Sequence, residues 1–128
     1  MPAKAIQDYF SGDHALCMGC GPQHPDGYQI KTYWDGTHGR YHFRPKAHQT
    51  AFPGVLYGGL IAAIMDCHCI GTAIADAYDR EGRSPDSPPA IMYVTANLNV
   101  SYLKPTPLDA ALLLCSEVKE ATKRESIV

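Results

Sequence analysis

The sequence predicts an α+β fold in which an antiparallel sheet wraps one long central helix. Residues 58–79 contain no proline and are dominated by Ala, Leu, Ile and Met, a helical composition. Two strand-like runs, "YQIKTYWDG" and "THGRYHFRP", flank an Asp35-Gly36 turn, a common hairpin signal. Further on, "AIMYVTANLNVSYLKP" (90–105) alternates from Val94 onward, with Ala96, Leu98 and Val100 on one side and Thr95, Asn97, Asn99 and Ser101 on the other. A helix that is apolar nearly all round must be covered on most sides. A curved sheet covers one side, and a second copy of the chain would complete the cover.

The remaining elements follow in order. "AKAIQDYF" (3–10) predicts a short helix with Ile6, Tyr9 and Phe10 facing one way, and "CMGCGPQHPDG" (17–27), dense in Gly and Pro, an ordered loop. Residues 45–57 connect the hairpin to the helix. "REGRSPDSPP" (80–89) ends the helix in a polar loop. "LDAALLLCSEVKEA" (108–121) predicts the next strand, ambiguous with a helix because of its Ala and Leu, and "TKRESIV" begins another. With no repeat and no linker, residues 1–128 read as a single domain.

Composition narrows the function. Hydrophobic content of 45% and charged content of 19% are those of an ordinary globular chain. A formal net charge of −2 argues against a nucleic-acid partner, because phosphate binding needs a concentrated basic surface. The local basic group Lys119, Lys123 and Arg124 is balanced by Glu117, Glu120 and Glu125. Five cysteines are an odd number and are spaced unlike a secreted disulfide framework. "MPAKAIQDYF" has no hydrophobic leader core, so the expected compartment is a reducing cytoplasm. Residues 60–77 are long enough to raise a transmembrane question, but Asp66, His68, Thr72 and Asp76 fall inside them. The expectation is a core helix and no membrane.

Asp66 stands in the middle of "GVLYGGLIAAIMDCHC" (54–69). Burying a carboxylate costs several kcal/mol unless something compensates. A structural carboxylate bonded to a backbone amide or to His68 is one reading, and a reacting group is the other. Cys17 and Cys20, with His14 or His24, suggest zinc, but no second Cys/His pair follows at finger spacing. The expectation is a loop with small buried thiols, no metal and no cofactor. Cys67, His68 and Cys69 are consecutive on a helix and point in different directions, a poor chelate.

Three stretches together resemble the hotdog-fold acyl-CoA thioesterases, in particular the subgroup of the phenylacetate-pathway enzyme and the small human acyl-CoA thioesterases. "CMGCGPQHPDGYQI" resembles the Cys-x-x-Cys-Gly opening of many members. "FPGVLYGGLIAAIMD" resembles a His-Gly-Gly helix start followed by an acid seven residues after the second glycine, and "TANLNVSYLKPTPL" resembles the following strand and its proline exit. The resemblance implies a hotdog fold, an acyl-CoA substrate, and a homodimer or a tetramer built from dimers. Three features depart from the pattern. The family histidine is Tyr57 here, and the polar residue often found six positions earlier is Ala51, with Gln49 and Thr50 nearby. The family usually completes its sheet with one more strand beyond the point where this chain stops, so the resemblance implies a sheet lacking its last strand. Its edge is then exposed or paired with another chain.

Thioester hydrolysis needs donors for a developing oxyanion and a base or nucleophile for the attack. A helix N-terminus offers unsatisfied N–H groups and a positive partial charge, and glycines let a carbonyl approach it closely. The amides of Gly58, Gly59 and Leu60 are therefore the candidate oxyanion hole. Asp66 lies eight residues beyond Gly58, about 12 Å along a helix axis. A reacting carbon must be roughly 3 Å from both kinds of group. One helix cannot present both to one carbonyl, whereas two antiparallel helices across a twofold axis can. Asp66 then acts as general base on a water or as direct nucleophile. Thr95 matches the family position of a hydroxyl that holds the water or the carboxylate. Tyr57, Leu60, Gln49 and Asn97 are the candidate substrate contacts, and Arg80 and Arg83 the candidate cations for coenzyme A phosphates at a pocket mouth bordered by 17–27 and 80–89. The alternative function is a non-catalytic acyl-thioester-binding protein of the same fold.

Overall fold

The computed structural model describes residues 4–128. Its long element is helix α1, Gly58–Arg80, about 34 Å at 1.5 Å per residue. Antiparallel strands β1 (Tyr33–Trp34), β2 (Gly39–Phe43) and β3 (Leu112–Ser116) form one sheet in the order β1-β2-β3. The β2–β3 register runs from Gly39 opposite Ser116 to Phe43 opposite Leu112. A second, short hairpin pairs β4 (Glu120–Ala121) with β5 (Ser126–Ile127). The expected short N-terminal helix is a 3₁₀ turn, Ile6–Tyr9, and a further 3₁₀ turn, Gly12–Leu16, follows it. Ala3, the first residue of the expected helix, lies outside the described residues.

The Asp35-Gly36 turn forms as predicted. Gly36 takes the left-handed φ of 98°, and the Asp35 carboxylate accepts from the Thr37 and His38 amides at 2.8 and 2.6 Å. These amides, the His38 one foremost, and the Arg40 guanidinium hold the Asp35 carboxyl well below the usual carboxylate range.

One end of α1 is covered and the other is open. From Gly71 to Tyr78 every helix residue except Asp76 is buried, under Ile6, Trp34, Ile91 and their neighbours. From Ile61 to Ile70 only Ile64 and His68 are buried and the rest are half-buried. Leu60 and Ile64 pack with Cys20, Ile30, Phe43 and Leu56 on the sheet side. The helix is long and apolar enough to cross a membrane by length and composition. Here it is a core helix, with ten of its residues buried against the sheet and the N-terminal turns.

His68 ties the helix to the sheet. Its Nδ1 lies 3.1 Å from the Lys31 carbonyl and 3.2 Å from Thr32 Oγ1, and its Nε2 lies 3.1 Å from the Gly39 carbonyl. It makes no hydrogen bond to Asp66, because these three groups occupy both ring nitrogens. Burial pushes the His68 pKa below its ordinary 6.5, outweighing the two carbonyl contacts that raise it. The unfolded chain therefore binds the proton more readily. The stability contributed by His68 is present above about pH 6.5 and is lost as the pH falls through the lower folded value. His68→Leu should lower stability by about 1–3 kcal/mol, since the imidazole's buried hydrogen bonds to the sheet backbone are lost. Denaturant midpoints across pH 5–8 check both statements; a midpoint unchanged at neutral pH would contradict them.

The predicted strand over 90–105 is corrected. Residues 91–103 form no backbone ladder with any described residue. The alternation reported the parity of the side chains, but a strand also needs a neighbouring strand, and none lies beside this one. The segment is instead bound to α1 through side chains. Tyr78 Oη accepts from the Ile91 amide at 2.8 Å, Thr95 Oγ1 donates to Asp66 Oδ1, and Tyr102 Oη donates to the Gly58 carbonyl at 2.8 Å. It thus runs antiparallel to the helix, from its C-terminal end to its N-terminus. Thr95 and Tyr102 have opposite parity yet both reach the helix, and a bend at Ala96 lies between them.

Candidate active site

The start of α1 is set by the loop before it. The Leu56 amide donates to the Thr106 carbonyl at 2.8 Å and the Tyr57 amide to the Gln49 carbonyl at 2.9 Å, so the chain enters the helix between two fixed strands of backbone. Tyr57 is the N-cap, with extended φ −60° and ψ 123°, and its side chain makes no capping bond. The first-turn donors are left for something else.

Gly58 and Gly59 have amides with no protein acceptor among the described residues. The Leu60 amide differs from the expectation. It donates to the Tyr57 carbonyl at 3.1 Å, a 3₁₀ bond that tightens the first turn. The candidate oxyanion hole is therefore Gly58 and Gly59. The Leu60 side chain is buried in the core. Tyr57 is 56% exposed, and its ring lies directly over Gly59: a Cβ there would fall 2.5 Å from the phenol oxygen.

Asp66 is half-buried on the open half of α1, and Thr95 donates to one of its carboxylate oxygens, as the resemblance implied. No described residue bonds the other oxygen. Two thiols follow Asp66 on the helix. Cys67 and Cys69 both have pKa values pushed up, Cys67 by its contact with Cys20 and then by burial, Cys69 by burial and then by the Asp66 charge.

The other expected contacts divide. Gln49 sits beside the helix start, but its side-chain oxygen accepts from the Lys46 amide at 2.8 Å, which closes its own turn. Asn97 is exposed and lies two residues beyond Thr95, past the bend at Ala96. Arg83 is corrected as a phosphate ligand. Its guanidinium bonds the Ser87 and Pro89 carbonyls, Ser87 Oγ and Glu81, and lies over the Tyr78 ring. Its donors hold loop 81–89 in shape. Arg80 is paired with Asp76 at 2.7 Å. Both stand at the C-terminal end of α1, and Arg80 is 14 residues past Asp66, about 21 Å along the axis. Loop 80–89 therefore does not border this site within one chain. Sequence reasoning missed Tyr102, which grips the Gly58 carbonyl; its place in "TANLNVSYLKPTPL", three residues before Pro105, was the available signal.

Residues 53–128 match the family model of the thioesterase superfamily. The chain belongs to that superfamily. The matched stretch carries Gly58, Gly59, Asp66, Thr95 and Tyr102 together. A crystal structure of a thioesterase superfamily protein from Shewanella loihica PV-4 is similar, with 42% identity and a TM-score of 0.59, covering 73% of this chain and 71% of that one. No curated protein matches. The helix packed on an antiparallel sheet is the hotdog fold of thioesterase superfamily members, and membership supports thioester hydrolysis in general.

Proposed function

We propose that this chain hydrolyses acyl-CoA thioesters as a dimer with composite sites. The observation that carries the reading is the division of α1. Its free first-turn amides and its Thr95-bound carboxylate lie eight residues apart on one helix, about 12 Å, and the stretch between them is only half-buried apart from Leu60 and Ile64. A second chain packed antiparallel on that stretch covers the half-buried residues. It also brings its own Gly58 and Gly59 to this chain's Asp66. The thioester oxygen then rests on the two glycine amides while Asp66, oriented by Thr95, takes the proton of an attacking water or attacks the carbonyl itself.

A panel of aryl, short-chain and medium-chain acyl-CoAs, assayed for free thiol alongside the mass of the active species in solution, tests the proposal. Turnover by a dimer or a tetramer of dimers is expected. Turnover by a monomer would refute the composite site. A second reading, binding of acyl thioesters without hydrolysis, draws on Tyr57, whose ring crowds Gly59 where the family has a histidine. Saturable binding with no thiol release would favour it.

Lys104 is the better cation for the coenzyme A phosphates. It is exposed, has no ion pair among the described residues, and lies two positions after Tyr102 at the helix N-terminus. Lys104→Ala should raise KM up to about fivefold, the scale of a single exposed charge contact, with kcat little changed and a larger effect at low salt. An unchanged KM at low ionic strength would place the phosphates elsewhere, with the Lys119–Arg124 group next in line.

A further inference from the structure

The pair of thiols in the 17–27 loop meets a third from α1. The Sγ atoms of Cys17, Cys20 and Cys67 all lie within 4.8 Å of one another, and Cys17 and Cys67 are 4.0 Å apart. Cys17 and Cys20 come from one tight turn, closed by the Gly21 amide donating to the Cys17 carbonyl at 2.8 Å. Cys67 comes from α1, one residue past Asp66. Gly19 is what lets the two elements meet: a Cβ there would fall 2.3 Å from the Cys67 sulfur. The sequence pattern showed only the loop pair, because 47 residues separate Cys20 from Cys67.

We propose that Cys17, Cys20 and Cys67 are a three-thiolate zinc site, with water as the fourth ligand. Zinc–thiolate bonds of about 2.3 Å in a tetrahedron set the sulfurs about 3.8 Å apart. The cluster reaches that spacing with shifts of no more than about 1 Å, within reach of side-chain rotation. A disulfide would use two of the sulfurs and leave the third without a role, whereas a metal uses all three. Cys20 is buried and Cys17 is exposed, so the cluster is closed on one side and open to solvent on the other, where a three-ligand site takes its water. Soft thiolates without a carboxylate among them select zinc over magnesium or calcium. Binding replaces three thiol protons by one divalent ion, leaving a net charge of −1 at the ligands. The ion joins the Cys17–Gly27 loop to the helix turn that follows Asp66. The inference stands independently of the reaction proposed above.

The test uses the full chain, reduced with a phosphine, stripped with a chelator and titrated with Zn²⁺ against a chromophoric competitor. Co²⁺ serves as the spectroscopic probe. Expected are one equivalent of Zn²⁺ per chain, a thiolate-to-cobalt charge-transfer band with tetrahedral d–d absorption, and a rise in Tm on binding. Cys20→Ser and Cys67→Ser should weaken binding by at least about 100-fold. Cys115→Ser, on β3 outside the cluster, should leave it unchanged. Cys17→Ser alters an exposed sulfur and keeps the core intact, so it decides the matter should the buried variants fail to fold. Binding below one equivalent, or unchanged affinity and cobalt spectrum in Cys17→Ser, would overturn the proposal.

Discussion

Asp66→Asn should lower acyl-CoA turnover by about two orders of magnitude or more, the scale of a lost general base, and leave the fold intact. Asn keeps the shape and an oxygen that can accept from Thr95 Oγ1, so the link from α1 to the 91–103 segment survives. What disappears is the group that takes a proton or attacks. KM should move little, because the carboxylate acts on the water or the reacting carbon and not on the body of the substrate. Circular dichroism and Tm establish that the variant is folded, and steady-state kinetics on the best substrate of the acyl-CoA panel give the loss. Wild-type kinetics in the variant would remove Asp66 from the mechanism. A protein that only binds thioesters would keep its affinity in Asp66→Asn and have no turnover to lose.

Gly58→Pro should cost about 10²–10³-fold in kcat, the effect of removing one oxyanion donor. The substitution is unusually clean because of where Gly58 stands. It is the first helical residue, where proline is favoured and its missing N–H breaks no helix bond. Tyr57 before it already has the extended backbone that a residue preceding proline requires, at φ −60° and ψ 123°. A Cβ at position 58 meets the Tyr102 ring at 3.4 Å, ordinary contact. Stability should therefore hold while one amide hydrogen is lost. The two variants together test the composite site. Mixed and re-equilibrated, Asp66→Asn and Gly58→Pro chains form hybrid dimers in which one site carries both changes and the other carries neither. Random mixing should restore about a quarter of wild-type activity, since half the dimers are hybrid and half their sites intact. If each chain used its own Gly58 and Asp66, mixing would restore nothing.

The legible parts of the molecule were those set by neighbours in sequence. The helix appeared within one residue of its predicted end because 22 consecutive residues (58–79) without proline favour it locally. The Asp35-Gly36 turn appeared because its side chain caps its own backbone two and three residues on. Asp66 and Thr95 came together as the resemblance implied. The illegible parts depended on what lies opposite. Arg83 looked like a free cation in a polar loop, but the loop folds back and presents its own carbonyls to the guanidinium. Leu60 looked like a donor in an open helix turn, but a 3₁₀ bond takes its amide and the core takes its side chain.

By itself the sequence determined the fold class, the length and position of the central helix, and the two chemical groups it bears: glycine amides at its start and a carboxylate two turns on. These follow from local propensity, from the helix rise, and from residue types that have a single polar use. Only the tertiary structure decided which amides remain free, which arginine is already engaged, that 91–103 lies along the helix without a ladder, and that Cys67 joins Cys17 and Cys20. Each of these depends on a meeting between residues distant in the chain. Such meetings are set by packing, where a hydrogen bond or a glycine's missing side chain in one element determines what a distant element can reach.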